Sequence, residues 1–318
     1  MLKYIARRLL IALPTIWGVT ILIFLIMKVL PGDPLVVFYD PLQIGGLTDA
    51  QRASLMTELG LDRPLLVQYG SWLGGALRGD LGSSFLRKDP ITEVIKRRGA
   101  ISAQIGVLAI VIAWVLGLPA GIISALRPNS VADGIASFMS ALFLAIPGFW
   151  MALLIVIGLI RGWGYHPPLT SYQLWQDPWR NFQIVIGPAL VLGLGQAAFI
   201  ARMSRSSLFE VFREDYVRTA RAKGLKDNLI LVRHALPNAL LPVLTLAGLI
   251  LAFTIGGSVT VEAAFGTPGL GNAFVQAMIT RDGTMVQSLT MFYAILFVLV
   301  NLIVDISYVR IDPRIKVE

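Results

Sequence analysis

Six apolar windows, each close to the roughly 20 helical residues that cross a hydrocarbon core of about 30 Å, constrain this chain more than any other feature. They fall at Leu9–Leu30, Ala100–Leu126, Ile135–Ile160, Ile184–Ala201, Ala239–Val261 and Gln287–Val309. In lipid a backbone must satisfy its own polar groups, and unbroken apolar runs of this length do so as helices. The pattern predicts an all-α integral membrane protein with six transmembrane helices. The fourth window is the least regular, being short and carrying Gly187, Pro188, Gly193, Gly195 and Gln196. Composition agrees: 56% of the 318 residues are hydrophobic and 14% charged, against about 25% charged in soluble domains.

Lys3, Arg7 and Arg8 precede the first window as in a signal peptide. The apolar run is too long for a signal core and no small-residue cleavage site follows it, so an uncleaved signal-anchor is expected. With the N-terminus in the cytoplasm, the inner polar segments are that terminus, 127–134, 202–238 and the tail 310–318. Basic residues exceed acidic ones there by 8, and the outer segments 31–99, 161–183 and 262–286 balance to zero. The whole net charge of +8 thus lies on one side, as the positive-inside rule requires, with no need to invoke nucleic acid. The expected organisation is 1–30 (tail and first span), 31–99 (extracytoplasmic helical segment), 100–309 (transmembrane core containing the cytoplasmic loop 202–238) and 310–318 (cytoplasmic tail).

Segment 31–99 is too long for a plain loop. The turn Pro31-Gly32-Asp33-Pro34 ends the first span, and Lys28 in its last turn is placed to snorkel outward. Thr48 and Gln51 form a capping-box pair, with Gly60 as a stop. A second helix is expected from Asp62 as cap and Pro64 in its first turn, and a third from Asp89-Pro90 with Ile91, Val94 and Ile95 on one face. Arg78-Gly79-Asp80 reads as part of a turn. Pro119, Pro147, Pro188 and Pro242 permit kinks in spans two to five. Gly117 with Gly121, and Gly256 with Gly257, are spaced for close helix approach. Trp163, Tyr165, Tyr172, Trp175 and Trp179 suit an interfacial belt. Asp305, inside the end of the last window, reads as one half of a structural pair with Arg310 or Arg314.

Several chemistries are excluded. The chain has no cysteine and two distant histidines, His166 and His234, which argues against a zinc site. No lysine follows a glycine, so there is no phosphate-binding G-x-x-x-x-G-K-[ST] loop. H-E-x-x-H and G-x-S-x-G are absent too, against a protease or hydrolase. Ionisable residues within the windows are too few for a typical proton-coupled carrier.

The densest functional signal is the basic island 202–238. Within it Arg218-Thr219-Ala220-Arg221-Ala222-Lys223-Gly224-Leu225 has the helix propensity and small side chains to lie in a groove, and the cations to pair with a partner. Gly224 is placed to end or bend that helix, and His234-Ala235-Leu236-Pro237 leads into the fifth window. Such a helix can pass a push from a soluble protein to the spans beside it, although the residues by themselves read first as an ordinary positive-inside loop. A second candidate is 262–286. There Glu262, then Pro268, Gly269 and Gly271 in a tight turn, then Arg281 and Asp282, form an outward loop that would gate the path or meet a receptor, or serve only as a connector.

The island resembles the E-A-A-x3-G-x9-I-x-L-P signature of permease subunits of binding-protein-dependent ABC importers. Arg218-Thr219-Ala220, Gly224 and His234-Ala235-Leu236-Pro237 keep its spacing, while Arg218, Thr219 and His234 depart from its residue types. The variant R-T-A-R-A-K-G-L is similar to the dipeptide and oligopeptide subfamily, and to the first of its two permease subunits. So are A-R-R-L at 6–9, L-P-G-D-P at 30–34, L-x-G-D-L-G-x-S at 77–84, P-G-L-G at 268–271, R-D at 281–282, N-L-I-V-D-I-S-Y at 301–308 and P-R-I at 313–315.

The resemblance implies the type I ABC importer permease fold and a non-catalytic subunit that lines the path for peptides. It implies no cofactor on this chain, with ATP and Mg held by partner ATPases. The implied partners are a second, homologous permease, two ATPase subunits gripping Arg218–Leu225, and an extracytoplasmic substrate-binding protein. The expected location is the bacterial or archaeal cytoplasmic membrane, with both termini inside. Nickel, glutathione or oligosaccharide carriage by the same architecture is the alternative cargo, and a proton-coupled carrier the remote one.

Overall fold

The computed structural model describes residues 2–29, 35, 44–84, 88–166, 168 and 170–311. The turn at Pro31–Pro34, most of the C-terminal tail and the side-chain pairing expected of Asp305 lie outside the described residues. The described chain is almost wholly helical. Its helices are α1 (Leu2–Val29), α2 (Asp49–Glu58), α3 (Leu65–Leu77), α4 (Ile91–Leu126), α5 (Val131–Ala145), α6 (Gly148–Trp163), α7 (Pro178–Val211), α8 (Asp215–Ala222), α9 (Asp227–Ile230), α10 (Leu236–Phe265), α11 (Leu270–Ile279) and α12 (Gly283–Ile311). Among the described residues five helical runs are long and apolar enough to cross a membrane, four within α1, α4, α7 and α12 and one, Asp227–Leu251, running from α9 into α10, and α5 with α6 makes a sixth if that bent pair is one span.

The third window, Ile135–Ile160, is bent at the proline expected to permit a kink, and α5 and α6 meet there at 100°. Pro147 causes the break: it has no N–H to give α5, and it forces Ile146 out of the helical region, to φ −84° and ψ 121°. The fourth window is longer than expected. α7 runs for 34 residues, capped by Asp177, whose carboxylate accepts from the Arg180 N–H. It carries more buried positions than any other span, and Phe265 and Ile112 pack closely over its Gly187 and Gly193.

Contacts divide the chain into two compact units, residues 1–102 with 268–302, and residues 103–267 with 303–318. In the first unit α1 meets α3 through Phe24, Tyr69 and Trp72, and the Thr20 and Tyr69 hydroxyls hydrogen-bond at 2.7 Å. Lys28 lies 5.6 Å from the Phe24 ring centre, a cation–π contact. The Thr48–Gln51 capping box forms as expected, and Gly60 closes α2 at φ +65°. Asp62 does not cap α3; Pro64 occupies that position. The helix expected at Asp89-Pro90 is the start of α4, which continues unbroken through the second window because nothing before Arg127 stops it. Ile91 and Val94 pack there against Leu270, Ala273 and Ala277 of α11 and Leu289 of α12.

In the second unit α7 packs against α5, α6 and α10. Gly117 and Gly121 of α4 do bring two backbones together: a Cβ at either would stand 2.5 or 2.6 Å from the carbonyl oxygen of Ala197 or Ala201 on α7. Gly256 makes no such contact, having nothing within 4 Å of its Cβ position.

Candidate functional site

The basic island is built outward from the end of α7. After Val211 the chain turns through Phe212–Glu214 and begins α8, where Asp215 favours the helix N-terminus. Val217 and Ala220, one turn apart, are buried against Ile230, with Val211, Phe212 and Leu225 around them. The helix ends in a Schellman closure. Gly224, at φ +78°, donates to the Arg221 carbonyl at 2.9 Å, and Leu225 N–H reaches the Ala220 carbonyl at 3.3 Å. The contact of Leu225 with the Ala220 cluster completes it.

This geometry sorts the expected coupling residues. Arg218, Thr219, Arg221, Ala222, Lys223 and Gly224 are exposed, whereas Ala220 is buried and Leu225 half-buried, so those two hold the helix down instead of facing outward. Arg218 lies 3.5 Å from Asp215 and Arg221 3.4 Å from Asp227, with Arg221 also 5.8 Å from the Phe212 ring centre. Exposed pairs of this kind contribute only about 0–1 kcal/mol, so the cations can exchange partners at little cost.

The helix is tied to three spans. Val211 and Phe212, which support Val217 and Ala220, also pack with Leu208 of α7, Ala125 of α4 and Ala239 of α10. The Asn238 amide donates to the Tyr216 hydroxyl at 3.1 Å and to the His234 carbonyl at 2.9 Å, linking α8 to the start of α10. His234 itself falls within a π-helical turn, Leu231–Ala235, that joins α9 to α10.

Sequence reasoning missed the strongest polar anchor near this site. Asp133 of α5 accepts two hydrogen bonds from Arg205 of α7, at 2.8 and 2.9 Å. It also accepts from the Ser124 hydroxyl and, at 3.0 Å, from the Asn129 N–H. Arg205 lies 4.7 Å from the Phe209 ring centre. The sequence shows Asp133 and Arg205 only as loop charges 72 residues apart, and no local pattern announces their pairing.

The second candidate is more helix than loop. Glu262 is fully buried at the end of α10, in the second unit. Gly266 closes that helix at φ +66°, and Thr267 N–H bonds the Glu262 carbonyl at 2.9 Å. The remaining candidates belong to the first unit. Pro268, Gly269 and Gly271 are buried where α11 begins, and Leu270 N–H donates to the Ser102 hydroxyl at 2.9 Å. Arg281 is exposed at φ +57°. Asp282 is buried; it accepts from the Ser84 hydroxyl at 2.6 Å and from the Met285 N–H at 3.0 Å, capping α12. Only Arg281 of this set presents its side chain outward. Among the described residues no group of three His, Asp or Glu side chains is arranged to hold a metal.

Comparison with known proteins gives a consistent picture. Residues 117–317 match the family model described as "Binding-protein-dependent transport system inner membrane component". The oligopeptide transport system permease protein AppB of Bacillus subtilis is 40% identical, over 99% of this chain and 100% of its own length. The dipeptide transport system permease protein DppB of Escherichia coli is 35% identical, over 99% of both chains. Among solved structures, a chain of the MetNI methionine ABC transporter in an inward-facing conformation superposes with a TM-score of 0.54 at 22% identity, covering 69% of this chain and 96% of that one. That likeness concerns the fold.

Proposed function

Since the chain belongs to the family of binding-protein-dependent transport system inner membrane components, we propose that it is one of two permease subunits of an ATP-driven importer of dipeptides or oligopeptides. The observation that carries this reading is α8: a short amphipathic helix held by Val217 and Ala220, closed at Gly224, and presenting Arg218, Arg221 and Lys223. The cargo class is supported by the peptide-permease relatives that match from end to end.

In this reading the chain sits in the cytoplasmic (inner) membrane with both termini inside. A second, homologous permease completes the path, and two ATPase subunits bind and hydrolyse ATP with Mg. An extracytoplasmic binding protein delivers the peptide, with Arg281 and the 31–99 segment on the receiving side. This subunit breaks no bond. ATP binding draws the ATPases together, and each grips the exposed face of a coupling helix. Force on α8 enters the spans through Val211 and Phe212, which are shared with α4, α7 and α10. The ATP step shifts the two access states only by its differential interaction with them.

The test is co-expression with the candidate partner subunits. Arg218→Glu, Arg221→Glu and Lys223→Glu together are expected to leave the chain inserted, to abolish recovery of the ATPases with it, and to stop ATP-dependent uptake of a labelled dipeptide. Recovery and uptake at wild-type levels would refute the assignment of this face.

A further inference from the structure

Gln196 and Thr254 form a polar pair within the second unit, away from α8. Gln196 lies near the middle of α7 and is only 8% exposed. Its Nε2 donates to Thr254 Oγ1 at 2.8 Å, and the Thr254 hydroxyl lies 2.8 Å from the Ile250 carbonyl, one turn back on α10. A hydroxyl has one proton. With that proton on Ile250, Thr254 can only accept from Gln196, which fixes the amide with nitrogen toward α10 and Oε1 away from it. Oε1 accepts no hydrogen bond among the described residues.

Gln196 lines a cavity of ≈ 230 Å³ whose other walls include Ile110, Trp114, Ile200, Gly248 and Leu251. Lipid chains carry no donors, and an amide oxygen left bare in hydrocarbon is costly. Polar groups within membrane helices face the bundle interior or a water-filled cavity, and this one lines a cavity. The cavity is below the roughly 300–1,000 Å³ of pockets that enclose a whole ligand, which suits a point of passage. A peptide in transit brings N–H donors whatever its side chains, and apolar walls do not select among those side chains.

Building on the peptide-import reading, we propose that this cavity is part of the translocation path, that Gln196 Oε1 accepts hydrogen bonds from the backbone N–H groups of the passing peptide, and that Thr254 is the positioning residue that aims it. This chain has no native cysteine, so each introduced thiol is the only one it carries. In the complete transporter reconstituted in vesicles, Ala247→Cys and Leu251→Cys are treated with a charged methanethiosulfonate. Both are expected to be modified and to lose uptake of trialanine. Leu249→Cys, on the exposed side of α10, is expected to stay unmodified. Gln196→Met and Thr254→Val are each expected to lower trialanine uptake per inserted complex about fivefold, the effect of one lost hydrogen bond. Thr254→Ser is expected to restore it. Should Gln196→Met fail to insert, Gln196→Asn, which withdraws the oxygen by one methylene, carries the same expectation. Unmodified cysteines at 247 and 251 would overturn the proposal by showing a dry cavity. Modified cysteines with wild-type uptake by the Gln196 variant would overturn it as well. If the wild-type transporter takes up no trialanine while the cysteines still react, the peptide reading has failed and takes the amide-acceptor role with it.

Discussion

Gly224 offers the sharpest test of how α8 is held. Its φ of +78° lies where an L-residue is disfavoured by roughly 1–2 kcal/mol. A Cβ built there meets nothing within 4 Å, so substitution adds no clash and the backbone term stands alone. That amount corresponds to about a 5–30-fold change in a local equilibrium. The amides of Lys223 and Leu225, bonded to the carbonyls of Thr219 and Ala220, report on that equilibrium through hydrogen exchange. Exchange is expected to rise in the order Gly224→Asn, then Gly224→Ala and Gly224→Arg together, then Gly224→Val, because Asn tolerates the left-handed region and β-branching does not. Uptake should follow the same order, with one exception. Gly224→Arg should lose far more transport than Gly224→Ala at equal exchange, since Gly224 lies on the exposed face offered for docking. Equal exchange across the series would refute the role of the Schellman closure, and equal uptake for Ala and Arg would remove Gly224 from the docking face.

Three further outcomes follow from packing. Arg205→Met leaves the Asp133 carboxylate without its two guanidinium bonds and should lower the unfolding midpoint of the purified chain, with Arg205→Met/Asp133→Leu recovering part of the loss in a thermal unfolding series. Gly117→Val or Gly121→Val drives a side chain into the α7 backbone and should abolish monodisperse protein in detergent, whereas Gly256→Ala, with open space at its Cβ position, should behave as wild type. Asp282→Ala removes both the cap of α12 and the partner of Ser84; a loss of about 1–3 kcal/mol is expected, and Asp282→Asn should lose less. Equal stability of the two Asp282 variants would refute the capping role.

What the sequence determined by itself was whatever depends on one stretch of chain at a time. Runs of apolar residues force membrane helices because lipid cannot satisfy a bare backbone. The Thr48 capping box and the stop at Gly60 are bonds between residues a few positions apart, so they were legible. So was the spacing of Arg218–Ala220, Gly224 and Pro237, which marks the family. The tertiary structure decided which side of each element is spent on its neighbours. It buried Ala220 and left Arg218 and Lys223 outside, buried the turn at Pro268–Gly269 that leads into α11, and joined Asp133 to Arg205. It also turned the Gln196 amide nitrogen toward Thr254 of α10. These outcomes depend on contacts between residues tens of positions apart, whose energies arise only once the helices are packed, so no local pattern encodes them.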